Sequence, residues 1–184
     1  MEDVAALAGV SKGTLYNFFK NKQELFLASM IASYEETLGL FDPEMESEVL
    51  DPRVRLDADL RGMANVLDMV SSQMTVHYQC WGIVVGDEGA RGRLYDFLTQ
   101  FFRDRSQEMR ELIEEGQRRS VFRADADAAA ITDALIALLS GFLYRATFDP
   151  EYATAEKLAA TYESLLSGAL YITETAAVGE GRDA

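Results

Sequence analysis

From Leu56 onward the apolar positions Leu56, Leu60, Met63, Leu67, Val70 and Met74 advance by four, three, four, three and four residues. That spacing draws one stripe along a 3.6-residue period, and a strand, which alternates faces every second residue, cannot bury it. Prolines are confined to Pro43, Pro52 and Pro150, and no run alternates with the β-branched residues and turn pairs of a hairpin sheet. The chain is therefore expected to be all-α. Its 184 residues, 48% apolar, suffice for one compact core or for a small module joined to a larger one. Cys80 is the single cysteine and forms no internal disulfide, and no CxxC or HExxH pattern offers a metal site.

Three short helical pieces are expected before residue 41, then an acidic connection from Asp42 to Asp51 bracketed by two prolines, the best place for a domain boundary. A long helix starts at Pro52. A third long helix runs from about Glu88 to Arg119, with Leu94, Phe97, Leu98, Phe101, Phe102, Met109, Leu112 and Ile113 inward. After a turn from Arg123 to Asp127 come two helices, about Asp127 to Phe148 and Pro150 to Glu174. Each of these carries two apolar faces. In the first, Ile131, Leu135, Leu138 and Phe142 run beside Ala130, Ala134, Ala137 and Gly141; in the second, Leu158, Tyr162, Leu165, Ala169 and Ile172 run beside Ala155, Ala159, Leu166 and Leu170. Two faces exceed what one intramolecular core requires, which predicts a four-helix interface with a second copy, with Leu135, Leu138, Tyr162 and Leu166 in it. The alternative is that both helices are central in a larger bundle of one chain. The expected organisation is a small leading module with a linking helix over residues 1–40, a larger dimerising helical domain over 41–174, and a flexible tail over 175–184.

Charge narrows the function. The formal net charge is −14, yet residues 1–24 hold Lys12, Lys20 and Lys22 against Glu2, Asp3 and Glu24, so the leading segment is neutral and the whole excess lies downstream. A field of that sign repels nucleic acid, so any DNA contact falls to the leading segment. No stretch holds the roughly 18 to 20 uninterrupted apolar residues of a spanning helix, and Met1-Glu2-Asp3 lacks the basic start of a signal peptide, so a soluble cytoplasmic protein with no membrane partner is expected.

Residues 2–19, EDVAALAGVSKGTLYNFF, have the composition of a helix-turn-helix. Ala5 is small, as a close helix crossing needs. Gly9 ends the first helix where a left-handed backbone is required. Val4, Ala8, Val10, Leu15 and Phe18 supply apolar contacts, with Leu15, Phe18 and Phe19 expected in the core, and Ser11 is placed to cap the second helix. That helix then presents Lys12, Gly13, Thr14, Tyr16 and Asn17: a charge, a close-approach position, a hydroxyl, a phenol and a carboxamide suited to phosphates or base edges. Asn21 and Glu24 read as a capping box for the next helix and place Lys22 in its first turn, within reach of a phosphate.

In AGVSKGTLYNFFKNKQELF, the Gly-Val-Ser turn, the Leu-Tyr-x-x-Phe helix and the Lys-x-x-Leu start occur together in register, and the segment from Met1 to about Leu27 resembles the TetR family of bacterial transcriptional repressors. The resemblance implies Lys12, Gly13 and Thr14 at the major-groove end of a recognition helix, Tyr16 and Lys22 as phosphate contacts, and Asn17 as a base reader. It also implies that residues 1–40 are an N-terminally incomplete helix-turn-helix DNA-binding domain with its linking helix, that 41–174 form a ligand-binding and dimerisation domain whose helices make a homodimer enclosing a small-molecule pocket, and that double-stranded operator DNA and a small-molecule effector are the partners. Family members begin with one more helix, preceded by a basic arm, so roughly 20 to 30 upstream residues are expected to complete the small domain and restore specific binding.

The pocket candidates are Met74, His77, Tyr78, Trp81, Phe97, Phe101 and Phe142. Of these His77, Tyr78 and Trp81 stand in a segment, Ser71 to Gly82, too polar for a dry core and too aromatic for plain surface. The bland reading is ordinary core, since Met and aromatic residues at helical spacing usually are. His77 and Cys80 are three apart but lack a third ligand, and the carboxylates suit solvated helix faces. No catalytic residue, metal or cofactor is expected. The function these features favour is a ligand-responsive, dimeric DNA-binding repressor. The competing reading is a dimeric small-molecule-binding or interaction protein without DNA-binding activity.

Overall fold

The computed structural model describes residues 1–38, 50–71 and 74–172, with the side chains at 37, 38, 69–71, 74 and 75 outside that description. Among the described residues there are eight helices and no strand, only an isolated antiparallel bridge between Phe122 and Tyr171. The helices are α1 (Glu2–Leu7), α2 (Lys12–Phe18), α3 (Lys22–Leu38), α4 (Pro52–Ser71), α5 (Met74–Val85), α6 (Glu88–Arg118), α7 (Ala128–Ala146) and α8 (Ala155–Ala169). The chain divides into two compact units, Met1–Gly39 with Gln73–Arg103, and Leu40–Ser72 with Asp104–Ala184. The connection expected at 42–51 and the tail expected at 175–184 lie outside the described residues, apart from the last two positions of the connection.

In the first unit α3 packs on α5 and on the leading half of α6. Leu27 and Met30 of α3 bury against Val84 of α5 and Ala90, Leu94 and Leu98 of α6, with Phe26, Ile31, Tyr34, Cys80, Trp81 and Phe97 half-buried around them. The long α3 is thus anchored one turn past its start, which follows the end of α2 by only a short connection.

The second unit is closed more tightly. The stripe Leu56, Leu60, Met63 and Leu67 of α4 is fully buried, meeting Met109, Leu112 and Ile113 of α6, Ile131 and Leu135 of α7, and Leu158, Tyr162 and Leu166 of α8. Val70 of the predicted stripe lies outside the described side chains. Where α6 ends, Gly116 lies so close to Phe122 that a Cβ there would overlap the ring. Ser120 takes a left-handed φ of 58°, and the N–H groups of Val121 and Phe122 donate to the Gly116 carbonyl. This turns the chain so that Phe122 stacks on Tyr171. Buried Tyr162 donates its hydroxyl to the Leu135 carbonyl at 3.2 Å, tying α8 to α7, and burial pushes its phenol far above its ordinary pKa.

Helix α8 begins later than Asp149-Pro150 predicts. Thr154 caps it by accepting from the Lys157 N–H, and Asp68 of α4 accepts from the Ala155 N–H at 3.1 Å, so the start is set by a residue 87 positions away. The two-face reading of α7 and α8 also needs sorting. Leu135, Tyr162 and Leu166, expected to face a second copy, are at most 1% exposed and fill the core of their own chain; Leu138 alone of the four keeps a partly open side chain. Apolar periodicity reports burial and not whose atoms supply it. The open faces are instead lined by Ala130, Ala137 and Gly141 on α7 and by Ala160, Ser164 and Gly168 on α8.

Helix α7 has a mean hydropathy of 1.4 over a window long enough to cross a bilayer, by length and composition only. Counting uninterrupted apolar runs overlooks it, because Thr132, Asp133 and Ser140 break the run. Its Ile131, Thr132 and Leu135 are buried against the helices of this unit.

Candidate nucleic-acid interface and effector site

Gly9 has φ of +67°, a backbone that a Cβ would strain, and the Val10 N–H reaches back to the Ala5 carbonyl. The chain is thereby turned out of α1 and into α2. Ala5 is buried at the crossing and Leu15 is buried under α2. Ser11 then caps α2: its Oγ accepts from the Thr14 N–H at 3.0 Å and lies 2.8 Å from the Thr14 hydroxyl. With Leu15 turned inward, the rest of α2 stays open, and Lys12, Gly13, Thr14, Tyr16 and Asn17 are exposed, Tyr16 by 43%. The capping box at α3 is formed: Asn21 Oδ1 accepts from the Glu24 N–H at 2.8 Å and Glu24 Oε2 accepts from the Lys20 N–H at 3.0 Å. Glu24 also lies 3.6 Å from Arg93 of α6. Lys22 sits 5.2 Å from the centroid of the Phe26 ring.

One expectation needs amendment. Phe18 is 75% exposed and Phe19 half-buried, so of the three residues assigned to the core of this segment only Leu15 is buried; Leu7 is 90% exposed. α1 and α2 are only six and seven residues long, and one buried residue on each is what such a short pair covers. Lys12, which the resemblance places at the major-groove end of α2, forms an ion pair with Glu2 at 2.5 Å.

The aromatic candidates fall into two groups. His77, Tyr78 and Trp81 of α5 and Phe97 and Phe101 of α6 assemble in the first unit around a residue that sequence reading passed over, Tyr34 of α3. The Tyr34 ring stands 5.7 Å from His77, 6.0 Å from Phe97 and 5.3 Å from Phe101, with edge-to-face or tilted geometry. Trp81 lies 6.4 Å from His77 and 6.5 Å from Tyr95, also unforeseen. The signal for Tyr34 was legible, because Leu27, Met30, Ile31 and Tyr34 follow the i, i+3, i+4, i+7 rule. Burial pushes the Tyr34 phenol up and the His77 imidazole down, so both rings stay neutral. Burial also raises the Cys80 thiol, against a smaller opposite pull from Lys22. Phe142 belongs to the second unit, where it lies 6.2 Å from Tyr152, itself covered by Arg145 and Lys157. Met74 starts α5, and its side chain is outside the described residues. No group of three or more His, Cys, Asp or Glu residues with metal-binding geometry occurs among the described residues.

Residues 1–29 match the family model for bacterial regulatory proteins of the tetR family, and residues 52–170 match the model for the BetI-type transcriptional repressor C-terminal domain. Similar solved structures include a protein classed as a transcriptional regulator from Pseudomonas aeruginosa PAO1, 27% identical, aligned over 90% of this chain and 77% of that one with a TM-score of 0.67. Another, from Saccharomonospora viridis and in complex with choline, is 19% identical over 94% of this chain and 86% of its own, with a TM-score of 0.72. A third, classed as a TetR-family transcriptional regulator from Rhodococcus sp., is 22% identical over 90% and 84%, with a TM-score of 0.63. No curated protein matches the sequence.

Proposed function

Because this chain belongs to the TetR family of bacterial transcriptional regulators, we propose that it is a repressor that binds operator DNA as a homodimer and is released by a small molecule. The observation that carries the reading is that the exposed face of α2 and the ring cluster around Tyr34 share one compact unit, joined through α3. In this reading α2 enters the major groove with Lys12, Gly13 and Thr14 leading, the Lys12 ammonium on a phosphate at the groove edge. Tyr16 and Lys22 hold phosphates, and the Asn17 carboxamide reads a base edge, a geometry that suits adenine.

The second unit supplies the dimer. Leu138, with Ala137 and Gly141 on α7 and Ser164, Leu165 and Gly168 on α8, would form the contact, while Leu135, Tyr162 and Leu166 hold these faces in place from behind. A groove of about 450 Å³ along Lys157, Ala160, Thr161, Ser164 and Leu165 leaves room for side chains of a partner helix. Two copies then present two recognition helices to half-sites roughly 34 to 36 Å apart, one turn of duplex.

An effector lodged among His77, Tyr78, Trp81, Phe97 and Phe101 re-packs α5 and α6 against Tyr34 and, through Leu27 and Met30, shifts α3 and the recognition helix it follows. A ligand that fits the shifted arrangement better drains the DNA-competent population. Choline is the first probe to use, since a structural neighbour holds it and aromatic faces attract a quaternary ammonium.

The test is a gel shift and anisotropy titration of the full gene product on duplexes from the DNA flanking its gene, across salt. The account expects retention on one palindromic segment, with an affinity that falls linearly on a log–log salt plot. Dimerisation and choline uptake with no duplex retained at any salt would point instead to a small-molecule-binding protein without a DNA role.

A further inference from the structure

Within α1 and α2, Lys12 is the only cation and Glu2 and Asp3 are the only anions, so the helix pair carries a formal charge of −1 at the surface proposed to meet DNA. Lys12 is the first residue of α2, directly after its cap, and Glu2 is the first residue of α1. The turn at Gly9 brings these two helix starts together, so the Glu2 carboxylate accepts from the Lys12 ammonium although ten positions separate them. Both side chains stay in solvent, Glu2 at 75% and Lys12 at 53% exposure, so the pair contributes little to stability. Its consequence lies at the surface. A carboxylate occupies a donor site of the one cation that α2 offers to a phosphate.

We propose that Glu2 acts as an internal stand-in for a DNA phosphate, holding Lys12 in check and lowering the affinity of the recognition helix for any duplex regardless of sequence. This rests on the regulator reading above. Lys12 has three donors, so a phosphate can approach without expelling Glu2, but two anions then crowd one cation. Alternatively the ammonium swings away from Glu2 and leaves a bare carboxylate facing the backbone. Either way the net gain per phosphate is reduced. Asn17 and Thr14, which carry no charge, are untouched by this balance, so the fraction of binding that depends on base edges rises. In keeping with the pair's geometry, the bond to Lys12 lowers the Glu2 carboxyl and the bond to Glu2 raises the Lys12 ammonium, each the leading cause of its shift.

The experiment compares the full gene product with Glu2→Gln, Asp3→Asn, Lys12→Met and Glu2→Gln/Lys12→Met on the retained duplex and on a scrambled duplex, from about 50 to 200 mM salt. Glu2→Gln is expected to tighten both duplexes by the same factor, about three- to tenfold at low salt, and to steepen the log–log salt slope by about 0.9, one more phosphate neutralised. Asp3→Asn removes the same charge from the same turn and is expected to tighten binding by less, with no change in slope. Glu2→Gln is expected to have little effect once Lys12 is Met. Equal effects of Glu2→Gln and Asp3→Asn would overturn the proposal in favour of general charge, as would a Glu2→Gln gain that survives in the Lys12→Met background. Binding by the parent with no change in Glu2→Gln overturns this inference alone; no binding by the parent overturns the regulator reading with it.

Discussion

The two units differ in how completely their apolar residues are covered. Among the described residues the second unit gathers nineteen buried side chains into one cluster, whereas the first has six, with rings around them that are only half-buried. The second also has long-range polar ties: Tyr162 to Leu135, Tyr171 to Asp57 at 2.8 Å, and Arg55 to Glu115 at 2.8 Å. In the first, Glu24 of α3 meets Arg93 of α6 at 3.6 Å, and the hydrogen bonds at the starts of α2 and α3 are local caps. Local opening free energy follows buried apolar contact, so the first unit is expected to open at lower cost than the second. Under the proposed function, this distribution of core gives one chain a scaffold that keeps its shape and a reader that can shift.

The contrast breaks first in the scaffold. Leu158→Ala removes a fully buried side chain from the centre of the large cluster and is expected to cost about 3 to 5 kcal/mol, measured by denaturant unfolding. Loss below about 1 kcal/mol, a value typical of surface changes, would mean that the cluster is not the main store of stability. Gly116→Ala forces a methyl into the Phe122 ring and should cost about 1 to 3 kcal/mol, with the loosening detected at the Phe122–Tyr171 stack by near-ultraviolet dichroism.

In the reader the effects are smaller and local. Ser11→Ala deletes the acceptor for the Thr14 N–H and is expected to cost about 1 kcal/mol in α2, read as faster amide exchange over 12–18 while α7 and α8 stay as protected as before. The smallest is a pH effect. Burial lowers the His77 pKa in the folded chain, so the folded state favours the neutral ring. Stability from this group is then full above its unfolded value, near 6.5, and falls as pH drops through that value toward the lowered one. The melting temperature of the parent should fall more between pH 7.5 and 5.5 than that of His77→Phe. Equal falls would contradict a buried neutral imidazole.

Much of this was legible in the sequence where a residue acts on its neighbours. The stripe Leu56, Leu60, Met63, Leu67 is buried as spaced, Gly9 takes the left-handed turn, and Ser11 and Asn21 cap the helices they precede. Misreadings arose where a distant residue decides. The start of α8 is set with the help of Asp68, which pattern at Asp149-Pro150 does not contain. Leu135, Tyr162 and Leu166 carry the apolar signal of an interface but are consumed by their own core. Phe18 has the composition of a core residue on a helix too short to cover it. In the ring cluster, the residues on α5 and α6 stand out by composition, while Tyr34, which joins them, is legible only as the last position of the Leu27, Met30, Ile31, Tyr34 stripe, whose period marks burial and not a ring neighbour.

The central claim is that the first unit reads DNA through α2 while the second holds the assembly together. Amide hydrogen exchange of the full gene product, with and without the retained duplex, tests it directly. The account predicts added protection over α2 and the first turns of α3, from Lys12 to about Leu27, with α7 and α8 unchanged. Protection that appears on α7 or α8 instead, or that is absent from α2 under saturating duplex, would contradict it.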